Sequence, residues 1–303
     1  MDSKNSGGNS KARKWPIIIG VVVGIIIILA LVMYFSVFKT NTPIATLKIL
    51  SGNVQVDSGS GWFSGTDGMN LKQSYSVKTS DDGRARIIML DSVIVTMEND
   101  TELNLKDVNS EGSTVSQKSG TVWNKFIKAS GVNTYSVDTP TTVATVRGTM
   151  FRSKMFPNKV GLLVAEGLVG FSNDNNSTNV SRGRKMIADN NGTMYEANIT
   201  SEDIADMMGT MTEDLQAMKD LRIEMLRRNN ALYGEMKKQY NIDDNGVIDL
   251  LDKIDKGLVN DSEIIDKSPV KVPLFKELKA IDDSIKEQQN SINELNAIYN
   301  IKG

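Results

Sequence analysis

Twenty-three consecutive residues without a formal charge, Pro16 to Phe38 (PIIIGVVVGIIIILALVMYFSVF), constrain this chain before anything else does. As a helix the run would be about 34 Å long at ~1.5 Å per residue, enough to cross the hydrocarbon core of a bilayer. A helix lying on a soluble core keeps one polar face, and this run has none. Lys4, Lys11, Arg13 and Lys14 precede it and only Lys39 follows closely. The positive-inside bias then predicts a cytoplasmic N-terminus and an extracytoplasmic remainder. A cleaved leader would have a shorter apolar core and a small-residue cleavage site, and Val37-Phe38-Lys39 is a poor one. The expectation is a single-pass transmembrane helix over residues 15–38 in the cell membrane, behind a disordered tail over 1–14. Gly20 and Gly24 have the spacing that lets two such helices approach, which leaves a homo-oligomer open.

The chain has no cysteine and no histidine, so disulfides, the thiol nucleophile, the imidazole base and the commonest zinc ligands are all excluded. Ser-Lys or paired-carboxylate chemistry survives, and the composition leans against an enzyme. Net charge is −2, with 14 basic and 21 acidic residues gathered in 201–303. No basic footprint for nucleic acid exists.

After a linker over 39–43, the pattern over 44–197 has a period of two. Leu47/Ile49, Val54/Val56, Tyr75/Val77, Val93/Val95, Leu103/Leu105 and Val160/Leu162/Val164 alternate with other, mostly polar residues, and Gly-containing turns such as Asp82-Gly83 and Ser119-Gly120 separate them. Many short strands with no helix between them predict an all-β domain, a short solenoid or a sandwich.

Within this region SVDTPTTVATVRGTMFRSK (Ser136–Lys154), followed by VAEGLVGF (Val164–Phe171), resembles the signature of FecR-like domains. The landmarks also have physical readings. Pro140, without an N–H, suits a strand end or edge; Gly148, before Thr149, permits a bulge or close approach; Gly167 supplies positive φ for a two-residue hairpin turn. Arg147 and Glu166 are the lone charges of their strands, and are expected to pair with each other. The resemblance implies a non-enzymatic module. In the family's regulator branch, the β domain receives a signal and a cytoplasmic segment controls a sigma factor.

From about residue 198 the period becomes helical. Thr200 or Ser201 can cap a helix carrying the seam Ile204, Met208, Met211, Leu215, Met218, Met225, Leu232 and Met236, interrupted by Arg222 and Asn229. A second seam, Leu274 to Tyr299, has Gln288 as its polar gap. An acidic, coiled-coil-like α-helical hairpin over 198–303 is expected, its Met stripe filling a core or offering an adaptable binding face. Between the seams, Asn241, Asp243, Asn245, Val247, Asp249 and Asp252 are spaced like the ligands of an EF-hand or dockerin-type calcium loop; the alternative is a helix–turn–helix corner. No other cofactor is expected.

These readings combine into a membrane-anchored extracytoplasmic binding or scaffold protein with a protein or envelope-polymer partner. Two alternatives stay open: a FecR-type sensor-regulator acting through a partner or proteolysis, and a cell-wall enzyme using Glu166.

Overall fold

Alternation becomes architecture from Ala45 onward, in a computed structural model that describes residues 45–109, 111–127, 132–146, 148–260 and 274–299. These lie within one compact unit, Pro43–Gly303. Two nine-stranded sheets stack face to face. The first runs, in spatial order, β18 (Met194–Ala197), β17 (Lys185–Asp189), β14 (Lys159–Glu166), β13 (Met150–Phe156), β10 (Thr121–Phe126), β7 (Val93–Met97), β6 (Arg84–Met89), β1 (Ala45–Ser51) and β4 (Asn70–Leu71). The second runs β16 (Ser177–Ser181), β15 (Leu168–Ser172), β12 (Val143–Val146), β11 (Tyr135–Asp138), β9 (Ser113–Ser119), β8 (Glu102–Val108), β5 (Ser76–Thr79), β2 (Val54–Asp57) and β3 (Trp62–Ser64). Neighbours are antiparallel except β9 and β11. Of the two sequence alternatives, the two-sheet stack is the one formed. The chain builds it by alternation, laying hairpins such as β6–β7 and β13–β14 in one sheet and β8–β9 and β15–β16 in the other.

Inward-facing Leu47, Val56, Val77, Ile87, Val95, Leu103, Val122, Val137, Phe151 and Phe171 fill the space between the sheets. The central strands of the first sheet are buried on their other face too. Ile94, Trp123, Met150 and Leu163 point away from that core into a second cluster, shared with Met207, Met211 and Met218. Strands covered on both sides lose strict alternation, which is why all five residues of β7 are buried.

The cover is helical. α1 (Ser201–Arg228) begins at a reciprocal capping box between Thr200 and Asp203. It ends at Asn229, whose side chain caps α2 (Asn230–Tyr240). α3 (Asp244–Asp255) and α4 (Leu274–Tyr299) complete the described helices. α4 runs antiparallel to α1: Arg222 bonds Asp282, and the Gln288 amide bonds the Met211 carbonyl. Of the three polar interruptions in the seams, Arg222 and Gln288 are met across the helix pair and Asn229 becomes a cap.

Two expectations change. No helix among the described residues is long and apolar enough to cross a membrane, and the run Pro16–Phe38 lies outside them, so a membrane helix is not part of the fold described. Nor is the C-terminal region an isolated coiled-coil-like hairpin. α2 and α3 intervene, and α1 spends much of its apolar face on the sheet.

Candidate functional site

Register alone assembles a row of side chains on the outer face of the first sheet. Arg86 lies opposite Thr96, Thr96 opposite Trp123, Trp123 opposite Arg152, Arg152 opposite Leu163, and Leu163 opposite Lys185. A second row runs Ile88, Ile94, Lys125, Met150, Glu166. A sheet face this apolar, studded with Arg and Lys, needs a cover that supplies carboxylates.

α1 supplies them. Asp203 accepts from Arg152 and, at 2.6 Å, from Lys185. Asp206 accepts from Arg152 and, at 3.3 Å, from the Trp123 indole N–H. Farther along, Asp214 lies 3.1 Å from Arg86 and 3.2 Å from the Thr96 hydroxyl, while Glu213 reaches Arg84 at 3.0 Å. The rise from Asp203 to Asp214 is about 16 Å at ~1.5 Å per residue. The step from β13 to β6, over three strand spacings of ~4.8 Å, is roughly 14 Å. One helix therefore crosses the strands with its acids in step with the sheet's bases. The guanidinium of Arg152 also sits over the Trp123 ring, 5.6 Å from its centroid.

Electrostatics differ along the seam. Burial pushes the Asp203 carboxyl up, but hydrogen bonds from Lys185, the Thr200 N–H and Arg152 outweigh it and hold the group well below the usual carboxylate range. Asp214 is fully enclosed, and burial raises it to about 6 against the pull of Arg86 and Thr96. Several atoms in or beside the seam have no protein partner: Asp214 Oδ2, Arg152 Nε, Glu166 Oε1 and the Thr149 hydroxyl.

Arg147, the expected partner of Glu166, lies outside the described residues; among those described, Glu166 pairs with Lys125. The register explains this, because Lys125 and Glu166 flank Met150 in one row of the sheet. At 3% exposed, Glu166 is sealed from solvent and poorly placed for catalysis. Gly148 and Gly167 adopt φ of +78° and +77° where the chain passes between sheets, not in a hairpin. They stack: a Cβ on Gly167 would lie 2.8 Å from the Gly148 carbonyl oxygen and 2.6 Å from Thr149 Cγ2. Pro140 falls in the β11–β12 turn, where Thr139 N–H bonds the Thr142 carbonyl at 2.8 Å.

The calcium-loop positions are not brought together. Asn241 is the left-handed C-cap of α2, and Asp243 caps α3 by accepting from Gly246 N–H at 2.8 Å. Asn245, Val247, Asp249 and Asp252 lie on α3 itself. Val247 is buried, Asp249 pairs with Lys253 and Asp252 with Lys219. A helix spreads these oxygens along its surface, whereas a calcium loop wraps them around one point. Among the described residues no group of three or more acidic side chains could hold a metal ion. The corner geometry is the one adopted.

Elsewhere a polar cleft of about 540 Å³ is lined by Asn175, Asn176, Thr178, Asn191, Thr193 and Met194. It carries no charged side chain among its lining residues.

The seam was missed in the sequence, although its signal was there. Basic residues fall among apolar ones in three strands (Arg86, Lys125, Arg152), and Asp203, Asp206 and Asp214 recur on the face of α1 that also carries Met207 and Met211.

No curated protein matches this chain. Two crystal structures of a "putative anti-sigma factor" from Parabacteroides distasonis, at 2.50 and 1.65 Å resolution, overlay on it with a TM-score of 0.39 and 16% identity. Each overlay covers 43% of this chain and 62% of that one, so the likeness is partial in both directions. The family described as FecR protein matches residues 75–170, from the start of the β5 region into β15, and the chain thus carries a FecR domain.

Proposed function

We propose that this chain is a FecR-type signal regulator that works by binding another protein. The observation that carries the reading is the FecR match over residues 75–170, which takes in strands of both sheets and most of the basic face under α1. The family resemblance points to a sigma factor as the final target, reached through a partner or by proteolysis. A reaction catalysed at Glu166 has nothing to recommend it while that carboxylate is enclosed against Lys125. The test is transcript profiling of a deletion strain, paired with crosslinking from the full chain. One sigma-dependent gene set should change, and the same sigma factor or its membrane partner should be captured. Unchanged expression of every such set would overturn the reading.

A further inference from the structure

The contact between α1 and the first sheet is held by an unusual mixture. Five basic side chains, Arg84, Arg86, Lys125, Arg152 and Lys185, project from the strands around Trp123, Ile94, Met150 and Leu163. The helix answers with Asp203, Asp206, Glu213 and Asp214 around Met207, Met211 and Met218. We propose that this sheet face is a docking surface for an acidic amphipathic helix of a partner protein, and that α1 is the exchangeable occupant that keeps it covered.

Three features carry this. The surface is already seen accepting one acidic helix, so the chemistry of the occupant is written in its charges. Buried ion pairs contribute specificity more than net stability, because separating both partners into water returns their hydration. Asp214 Oδ2 and Arg152 Nε, both at the α1 contact, are buried there without a hydrogen bond among the described residues. Finally, half of the helix's buried apolar residues are methionine, whose flexible thioether packs against many shapes and commits the surface to no single knob. The inference rests on the protein-binding reading above and names the surface and partner chemistry for it.

The experiment uses the full chain and a fluorescein-labelled synthetic peptide of residues 200–218 as the probe, read by anisotropy. The acidic peptide should bind, and a version with Asn or Gln in place of Asp203, Asp206, Glu213 and Asp214 should bind about tenfold more weakly. Weakening the internal occupant with Asp203→Asn/Asp206→Asn should raise binding about tenfold. Hydrogen exchange of β10 and β13 in each variant shows whether the sheet persists. Equal binding of acidic and neutral peptides would overturn the proposal. So would no binding to an Asp203→Asn/Asp206→Asn chain whose sheet persists. If that variant unfolds, the wild-type comparison of the two peptides decides alone. A positive peptide result with no change in sigma-dependent transcription would leave the docking surface standing and remove the regulator reading.

Discussion

At the scale of single residues, enclosed charges are the features most open to measurement. Lys125 and Glu166 neutralise each other inside the sheet. Lys125→Met should therefore cost about 3–5 kcal/mol in urea unfolding, because it strands a buried carboxylate. Lys125→Met with Glu166→Leu should recover most of that loss. Asp214 gives a pH test. Its folded-state value near 6 lies above the ordinary 3.8, so the folded state holds the extra proton between those limits. Stability should fall as pH rises from about 4 to about 6, and the slope should vanish in Asp214→Asn. Asp203 has the opposite sign: its depressed value gives stability that is present above pH 4 and lost on acidification. Little of this was legible beforehand. A lone charge in an apolar strand announces that it needs a partner, but the partner is named by register, and register between distant strands is not written locally. Lys125, the partner of Glu166 among the described residues, lies 41 residues away from it in the chain.

Elements were more legible, because periodicity is local. The alternation from Ala45 to Ala197 becomes strands, and the seams after residue 200 become helices, the first of them broken at Asn229 into α1 and α2. Turns were harder. Positive φ at Gly167 follows from the residue type, but its place at a passage between sheets depends on where the next strand pairs. Gly167→Ala should lose at least about 1–2 kcal/mol from the left-handed backbone alone, and more from the contact with Gly148 and Thr149, measurable as a lower thermal midpoint. The Asn241–Asp252 segment shows how one composition serves two geometries. Asp, Asn and Gly at short spacing suit a calcium loop and a helix cap alike, and Asp243 here caps α3. Asp243→Ala should cost about 1 kcal/mol of stability, and millimolar calcium should not shift the thermal midpoint of either protein.

At the scale of the whole molecule, the layers depend on one another. One face of the first sheet closes the inter-sheet core and the other closes the helical core. Ending the chain before Ser201 would uncover Trp123, Ile94, Met150 and Leu163 together, an apolar surface that drives self-association. Made in the unit Pro43–Gly303, such a truncation should elute as aggregates in size-exclusion chromatography, whereas the intact unit should not. Order along the polypeptide adds a consequence in time. Synthesis delivers β6, β7, β10, β13 and β17 before a single residue of α1 leaves the ribosome. For that interval the arginines and the tryptophan of the nascent sheet have no α1 over them, and the carboxylates that answer them are the last part of the seam to be made.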